Sequence, residues 1–515
     1  MTAVHSEREL AEPHLLGWLS SIGLDVEYVR AEGNTLYRRA EDGREVPVLD
    51  FAGGYGSLML GHNHPAIVAR ARELLAAGTP IHAQFSRHPY ANEVANRLNR
   101  IIRRELDDDE AFSAIFANSG AEAVEAAIKH AELDRVLRAA ELMADVEANL
   151  AALSGPIAAS AHERVGSTPA SGRAGLLAAI ARHNAEVTAR PPVFLTLEGS
   201  FHGKLAGSVQ LTHNADYRTP FAALAAQARF VPLDRPGAAK AVADEVRATV
   251  LDVVVEGGEA RVVERDYPVV AAFLVEPIQG EGGIKVVSAE LAGEIQQVCA
   301  DLGAPVVVDE IQSGMGRSGA FLASSLVGLR GDYYALAKSL GGGVAKASVL
   351  LVRESRYRPD FELVHSSTFA KDAFSCHIAA TVLDLLEADD GRAYRQAAEL
   401  GGKLTAALRA VRSDYPDVVK DVRGRGLMLG LEFHSQVGAA SPSIRANAGL
   451  LGYVIAGYLL QAHDIRTFPT ASAVTTLRFE PSILLTDAEI GSLDAALRAV
   501  CEILRAQPDG GFATS

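Results

Sequence analysis

The feature that most constrains the fold of this chain is an alternation between short apolar runs and longer stretches rich in alanine and leucine. The apolar runs include SAIFA, PPVFLTL, VVAAFLV, APVVVD and YYALA. Continuous apolar strands separated by helices are typical of a mostly parallel sheet covered by helices on both faces. Ligands of such α/β sheets lie at the carboxyl ends of the strands, where each of these runs gives way to polar or glycine-rich residues.

Length and composition predict a multidomain globular protein. The 515 residues exceed the usual size of one hydrophobic core, and 48% hydrophobic with 22% charged residues is typical of a soluble chain. A formal net charge of −15 argues against nucleic-acid binding, which needs basic clusters. The three cysteines are widely spaced, and no apolar run reaches the roughly 18 residues of a membrane span. We therefore expect a cytoplasmic protein that does not bind a membrane.

The two ends of the chain differ from its middle. We predict a large domain of residues 86–372 and a smaller α+β domain built from residues 1–85 and 373–515. Within the large domain, residues 132–190 are helix-forming, then rich in glycine, serine and proline, then helix-forming again, which predicts an insertion. We interpret this insertion as a surface excursion, with a partner-docking or substrate-lid element as the alternative.

Two charged residues follow apolar strands. Asp309 ends PVVVD, and Lys338 follows YYALA 29 positions later, which leaves room for a crossover to a neighbouring parallel strand. A buried carboxylate is costly unless a cation meets it, and burial lowers the pKa of a lysine amine. Both needs are met by pyridoxal phosphate, whose ring nitrogen would pair with the acid and whose aldehyde would bond to the amine.

Two further motifs would complete such a site. In FANSGAEAVEAAIK, Ser119 precedes Glu122 by three positions, a capping box that begins a helix and exposes N–H groups able to bind phosphate. EGSFHG places Phe201 after another strand, where an aromatic face could cover the cofactor ring. Each motif alone indicates little more than ordinary local structure, but together they indicate a binding site for pyridoxal phosphate.

Two other patterns favour structure over function. GMGRSG at residues 314–319 matches a dinucleotide fingerprint, but five residues separate it from the strand end and the charge of Asp309 would repel a pyrophosphate. A nicotinamide dehydrogenase is therefore a weak alternative. His62 and His64 of GHNH could suggest a metal, yet a turn before Pro65 is the simpler interpretation, and we predict no metal site.

The motifs in their order resemble the class III aminotransferases, which include the ornithine, acetylornithine and GABA enzymes. The resemblance rests on FANSGAEAVEAAIK, FHGK, VEPIQGEGG, VVVDEIQSGMGRSG, ALAKSLGGG, VRGRGLMLGLEF and LRFEPSILLTDAEI, and runs from about Leu24 to about Leu504. It implies the type I fold of enzymes that depend on pyridoxal 5′-phosphate, a homodimer, and ping-pong transfer of an amino group from an amino acid donor to an aldehyde or keto acceptor.

The resemblance also implies roles for single residues. Lys338 resembles the Schiff-base lysine that also moves protons, and Asp309 resembles the partner of the ring nitrogen. The phosphate turn would be Ser119, Gly120 and Ala121, and Thr368 would reach the phosphate of the neighbouring subunit. The ring contacts would be Phe201 and Gln312, with His202 beside them, for which packing is favoured. The substrate residues would be Tyr55, Glu281 and Arg478. Glu281 would gate Arg478, which would bind a carboxylate; a surface salt bridge is the alternative.

The chain departs from the family pattern in two places. STFAKDAFSC carries Lys371, Asp372 and Ala373 where the family usually has Gly-Asn-Pro, and residues 132–190 have no counterpart in the compact members. Lys371 is therefore an alternative amine, although no strand ends beside it. Both departures leave the substrate open. A racemase, aminomutase or decarboxylase on the same scaffold, and an inactive binding protein, remain alternatives.

Overall fold

The computed structural model describes residues 11–40, 42–82, 86–87 and 89–512. Its strands are β1 (Tyr28–Glu32), β2 (Thr35–Arg39), β3 (Glu45–Asp50), β4 (Phe112–Ala117), β5 (Val193–Leu197), β6 (Ala228–Val231), β7 (Ala248–Glu256), β8 (Glu259–Tyr267), β9 (Val270–Val275), β10 (Ile278–Gln279), β11 (Lys285–Val286), β12 (Val306–Asp309), β13 (Tyr333–Leu336), β14 (Ser348–Arg353), β15 (Val419–Arg425), β16 (Met428–Phe433), β17 (Ile465–Arg466), β18 (Phe468–Pro469) and β19 (Thr476–Phe479).

The α-helices alternate with these strands. They are α1 (Pro13–Ser21), α2 (Gly53–Gly56), α3 (Pro65–Ala76), α4 (Pro89–Leu106), α5 (Gly120–Ala152), α6 (Ala159–Arg164), α7 (Gly172–Thr188), α8 (Ala215–Arg218), α9 (Ala238–Val246), α10 (Ala289–Leu302), α11 (Phe361–Val364), α12 (Ala373–Asp414), α13 (Pro442–Ala446), α14 (Leu451–His463) and α15 (Asp487–Ala506). Short 3-10 turns lie between them, including Lys338–Gly341 directly after β13. In the described ranges, no helix has the length and apolar character that a membrane crossing requires.

The central sheet has the strand order β4-β14-β13-β12-β9-β5-β6. Strands β13, β12, β9, β5 and β6 run parallel to one another, while β14 is antiparallel to both β13 and β4. Helix α5 covers one face, where Val124 packs against Leu274 and Leu350, and helices α4, α10 and α12 cover the other. The mostly parallel sheet with helices on both faces, predicted from the apolar runs, is confirmed.

The chain ends meet in two smaller sheets. Strand β17, near the C-terminus, pairs in parallel with β3 near the N-terminus, through Ile465 opposite Leu49. Strands β15, β16, β19 and β18 form the second sheet. Helix α12 packs on both α4 of the large part and β15 of the second sheet, and it is kinked at residues 388–391. The predicted boundary at residue 85 lies outside the described residues.

Residues 132–190 continue α5 and then form α6 and α7, which pack on a β7–β8 hairpin that the sequence prediction did not assign to the insertion. Leu176 and Ile180 of α7 share a hydrophobic cluster with Leu251 and Val253 of β7. Asn184 donates to the carbonyl of Leu251 at 2.9 Å and accepts from its N–H at 2.7 Å. The insertion and the hairpin therefore form one packed unit with a core of its own.

Candidate active site

Asp309 and Lys338 lie at the ends of two adjacent parallel strands. Asp309 is the last residue of β12 and is paired in register with Ala335 of β13, while Lys338 follows β13 by two residues. Both side chains line one cavity of about 680 Å³. The structure therefore places this acid and this amine at the same edge of the sheet, as the spacing predicts.

Three segments at this edge enclose the cavity. They are the start of α5, the loop after β5, and the segment between β13 and β14, and the residues that follow β9 and β12 complete the wall together with Ser57. The lining residues are Ser57, Asn118, Ser119, Gly120, Ala121, Phe201, His202, Gly203, Lys204, Glu276, Ile278, Asp309, Ile311, Gln312, Ser313, Ala337, Lys338, Gly343, Val344, Ala345, Lys346 and Ala347. None of them belongs to residues 132–190, all of which the structure describes, so the insertion forms no lid over the cavity of its own chain.

Lys338 is held in an unusual conformation. Its φ of 48° lies in the left-handed region, which residues with side chains rarely adopt and which is often strained at functional sites. Its amine makes no hydrogen bond or ion pair with any described residue, and protein surrounds it except on the cavity side. Burial lowers the pKa of this amine, against the opposing charges of Glu480 and Glu281. The amine that faces the cavity therefore loses its proton more readily than that of an exposed lysine.

Asp309 is buried and fixed by two neighbours. Its Oδ2 lies 2.8 Å from Nδ1 of His202, and its Oδ1 accepts from the N–H of Ile311 at 3.1 Å. Nε2 of His202 lies 3.1 Å from the hydroxyl of Thr196. Burial alone would lower the pKa of His202, but the hydrogen bond and charge of Asp309 raise it overall. His202 therefore orients the carboxylate from behind, besides packing as the sequence favoured.

Glu276 is a site residue that the sequence prediction missed. It accepts from the N–H of Phe201 at 2.8 Å and from that of Gly280 at 3.1 Å, so it joins the two loops that bound the cavity. Burial raises its pKa to about 7, although the charge of His202 opposes this. Its signal was available in the sequence, because Glu276 directly follows VAAFLV, just as Asp309 ends its own apolar run.

Glu310, next to Asp309, points away from the cavity. Its carboxylate accepts from the Ser313 hydroxyl at 2.7 Å and from the N–H groups of Ala323 at 3.1 Å and Ser324 at 2.7 Å. Burial raises its pKa to about 7, and these hydrogen bonds partly offset the shift. The two adjacent carboxylates therefore do different things, since Asp309 meets the cavity and Glu310 ties together the following loop.

The start of α5 forms a shallow cradle at one end of the cavity. Ser119 is the N-cap and accepts from the N–H of Glu122 at 3.3 Å, but Glu122 turns back to Asn118 rather than to Ser119, so the capping box is only half formed. The N–H groups of Gly120 and Ala121 have no acceptor in the described part of the chain. A Cβ at Gly120 would lie 2.9 Å from Ile311, so only glycine permits this close approach.

Phe201 and Gln312 line the same cavity from different loops. Phe201 is half-buried on the loop after β5. Gln312 is buried and donates to both carboxylate oxygens of Glu480, at 2.8 and 3.0 Å. Glu480 was missed from the sequence, although a charged residue two positions after Arg478 in a buried segment was a usable signal. Its charge also acts on Lys338.

Arg478, Glu281 and Tyr55 form a cluster beside the cavity rather than in its wall. Two nitrogens of Arg478 donate to Glu281 at 2.6 and 2.5 Å, and its guanidinium lies 5.0 Å from the centre of the Tyr55 ring. Arg478 is 1% exposed, so the salt bridge that the alternative expects is present but buried. The charges of both ion-pair partners act on Lys338, which places the cluster close to the amine. In this arrangement Glu281 occupies the arginine.

Thr368 and Lys371 lie on one exposed turn outside the cavity. Thr368 does not line the cavity of its own chain. The preceding Ser367 accepts from Asn118 at 2.8 Å, so the turn begins beside the start of α5. Lys371 has a φ of 57°, in the left-handed region that favours the glycine usual in the family, so the lysine keeps this backbone although its side chain disfavours it. It faces two smaller cavities instead of the one that holds Asp309.

GMGRSG has a structural function. No helix begins at residues 314–319, and the buried Arg317 donates to the carbonyls of Leu427 and Pro481, both at 3.0 Å. The motif thus connects the central sheet to the C-terminal part of the chain, against the dehydrogenase alternative. His62 bonds Asp50 at 2.8 Å, and the described residues contain no cluster of potential metal ligands.

The groups lining the cavity fit pyridoxal phosphate. A buried carboxylate, an amine without a hydrogen-bond partner and a helix start with unbonded N–H groups face one cavity, and these are the groups that a pyridinium nitrogen, an aldehyde and a phosphate require. Phe201 supplies an apolar face beside them. The donor set therefore suits this cofactor in each of its parts.

Comparison with known proteins agrees with this geometry. The family model described as "Aminotransferase class-III" matches residues 21–493. Among solved structures, the ornithine aminotransferase of Toxoplasma gondii ME49 is 22% identical, with a TM-score of 0.65 over 94% of this chain and 92% of that chain. An amine transaminase from an uncultivated Pseudomonas species, in a PLP-bound form, is 22% identical, with a TM-score of 0.66 over 97% of this chain and 98% of that chain.

Proposed function

Because the chain belongs to the class III aminotransferases, whose cofactor is pyridoxal 5′-phosphate (PLP), we propose that Lys338 and Asp309 carry its transamination chemistry. The observation that supports this most directly is that the amine and the carboxylate line one cavity at the ends of adjacent strands. The same cavity includes the start of α5. The reaction transfers an amino group from an amino acid donor to an aldehyde or keto acceptor.

Lys338 is the proton-transfer group in this proposal. Burial lowers the pKa of its amine, so a larger fraction is neutral near pH 7 than for an exposed lysine. Its Nζ can take a proton from the substrate carbon that carries the amino group and return it later. The left-handed backbone at φ 48° fixes where the side chain leaves the strand end. Lys338 therefore combines a fixed position with a lowered pKa.

Asp309 controls the charge of the cofactor ring. When bound, PLP supplies a protonated pyridine ring that accepts the electrons released at the substrate carbon. Asp309 would hold the proton on the ring nitrogen, since a buried carboxylate favours a nearby cation. His202 keeps the carboxylate oriented through the contact of 2.8 Å. Ser119, Gly120 and Ala121 would hold the phosphate, while Phe201 would cover the ring and Gln312 would reach its hydroxyl.

Arg478 would bind the carboxylate of the donor. Its two terminal nitrogens already hold the two oxygens of Glu281, which is the geometry that a substrate carboxylate would need. Glu281 must move aside for such a donor, and it can remain in place for an acceptor without a carboxylate near the amine. Tyr55, stacked on Phe468, bounds the same region. An aldehyde acceptor without a carboxylate is compatible with Glu281 remaining bound to Arg478.

Dimerisation is supported by an apolar patch around Thr368. Leu363, Val364 and Phe369 are 89%, 65% and 67% exposed, which is unusual for neighbouring large apolar residues. If a second subunit covered this patch, Thr368 would reach the phosphate bound by that subunit, as the resemblance implies.

We also propose that the protein is located in the cytoplasm, since Cys299, Cys376 and Cys501 are free thiols. The pairing of β17 with β3 supports a small domain from residues 1–85 and 373–515.

A donor–acceptor screen tests this function. The PLP-loaded protein is mixed with candidate amino acids, and the absorbance change of the cofactor is followed before an aldehyde or keto acid is added. We expect a keto product from the donor and an aminated acceptor, both seen by mass spectrometry. Inverted stereochemistry or released carbon dioxide without a keto product would favour the racemase, aminomutase or decarboxylase alternative.

A further inference from the structure

Lys346 lines the cavity at the end where α5 begins, in a place that no role described above uses. Strand β14 pairs antiparallel with β4 through Ser348 opposite Ala117. Residues before Ser348 and residues after Ala117 therefore leave the sheet at the same edge. Lys346 lies two residues before Ser348, and Ser119 lies two residues after Ala117. Both line the same cavity, so the lysine faces the phosphate cradle from the neighbouring strand.

The cradle lacks a formal positive charge of its own. The start of a helix contributes roughly half an elementary charge, which is small beside a phosphate dianion. No arginine lines the cavity among the described residues, and its only lysines there are Lys204, Lys338 and Lys346. Lys338 follows β13, at the aldehyde end of the proposed cofactor. The amine of Lys204 lies 4.0 Å from the ring centre of Tyr217, which holds it elsewhere.

Lys346 makes no hydrogen bond or ion pair within the described residues. The chain has 64 acidic residues and a net charge of −15, yet no carboxylate of the described residues pairs with Lys346. Lys346 also lines a very small neighbouring cavity with Phe116 and Ala117, beside the same strand end. Both cavities therefore place this residue near the cradle.

We propose that Lys346 binds the phosphate of the cofactor at the start of α5 and supplies the positive charge that the backbone N–H groups lack. The inference rests on the proposed placement of the phosphate at Ser119, Gly120 and Ala121. It adds a cationic residue to a site otherwise built from a hydroxyl and N–H groups. An ammonium–phosphate contact at a partly exposed site weakens as salt is added.

The test compares PLP with pyridoxal, which has the same ring and aldehyde but no phosphate. Apoprotein is titrated with each compound to obtain two dissociation constants. The ratio of the constant for pyridoxal to the constant for PLP reports what the phosphate contributes, because the contacts of the ring and the aldehyde are the same in both. For Lys346→Met we expect this ratio to fall at least about ten-fold, with pyridoxal affinity unchanged. Lys346→Arg should keep most of the ratio, since it restores the charge. In the parent, added salt should lower the ratio, and in Lys346→Met this dependence should be weaker.

Lys204→Met is the matched control, because it removes the same charge from the same cavity. Its ratio should stay within about two-fold of the parent. An unchanged ratio in Lys346→Met, or an equal fall in Lys204→Met, would overturn the inference, since the phosphate contact would then be absent or the effect would be one of net charge. A parent protein that binds neither PLP nor pyridoxal would instead remove the proposed function. Circular dichroism of each variant verifies that the fold is intact.

Discussion

The cavity edge of the central sheet and the insertion are both well packed, but they differ in whether their buried polar groups have hydrogen-bond partners. In the insertion, Asn184 satisfies both the N–H and the carbonyl of Leu251. At the cavity edge, the amine of Lys338 has no hydrogen-bond partner in the described structure, and its backbone is left-handed. A buried polar group without a partner lowers stability, so its retention indicates a use outside folding. Burial does not distinguish the two regions, whereas the missing partner of the Lys338 amine, together with its left-handed backbone, does.

The largest effect should come from Lys338→Ala. We expect turnover to fall by more than about 10³-fold, because the variant loses both the bond to the cofactor and the proton-transfer group. The free energy of unfolding should change little, since the amine makes no hydrogen bond to lose. Steady-state kinetics and chemical denaturation measure the two quantities. Lys371→Ala, the control, should retain parent turnover within about two-fold; the reverse pattern would assign the chemistry to Lys371.

Asp309→Asn should have the next largest effect. The amide oxygen can still accept from His202, so the fold and cofactor binding should persist, but a neutral amide cannot hold the proton on the ring nitrogen. We expect turnover to fall by at least about 10²-fold with cofactor absorbance still present. A variant with the turnover and pH–rate profile of the parent would show that Asp309 does not act on the ring.

Leu251→Ala tests the other side of the comparison. Leu251 is 6% exposed and packs between α7 and β8, so its truncation should cost the insertion about 2–5 kcal/mol. Turnover measured below the unfolding temperature should match the parent, because no residue of 132–190 lines the cavity. Val255→Ala on the same strand is the control, since Val255 is 61% exposed and should cost less than about 0.5 kcal/mol. Lost turnover in a folded Leu251→Ala protein would link the insertion to the site.

Glu310→Gln should have the smallest effect on turnover, and it should change how the stability depends on pH. Glu310 lies at the cavity edge but is fully hydrogen-bonded, so it resembles the polar groups of the insertion. Burial raises its pKa to about 7, so the folded state favours the protonated form. Its contribution to stability is therefore present below the unfolded pKa and is lost as the pH rises through about 7. Glutamine carries no titrating proton and should remove this loss.

Denaturation at several pH values between 5 and 8 measures the effect of Glu310→Gln. Relative to the parent, the variant should gain up to about 3 kcal/mol across this range, at about 1.4 kcal/mol for each pKa unit. Turnover should stay close to that of the parent. Parallel stability curves for the two proteins would mean that Glu310 titrates normally.

The sequence predicted most of the central sheet and the two residues at the centre of the site. Uniformly apolar runs made the parallel strands recognisable, and charged residues at their ends located Asp309 and Lys338. The same rule identifies Glu276, which directly follows β9. Ser119 was recognised as a helix start because N-capping is a local interaction.

Other features depend on contacts between distant residues, which a sequence pattern does not contain. The β7–β8 hairpin joins the insertion through packing of Leu251 against Leu176, 75 positions away in the chain. The contact of Gln312 with Glu480 joins residues 168 positions apart. The position of Lys346 beside Ser119 follows from the pairing of β14 with β4. Neither is present in a local sequence pattern, so both needed the three-dimensional structure.

The most direct test of the central claim is to locate the lysine that bonds to the cofactor. The PLP-loaded protein is reduced with borohydride, digested and mapped by mass spectrometry. We predict that the reduced cofactor is found on the peptide containing Lys338, and that Lys338→Ala carries none. A label on Lys371, Lys346 or another lysine, or an absence of label on the loaded parent protein, would contradict the assignment of Lys338 and Asp309 as the reacting pair.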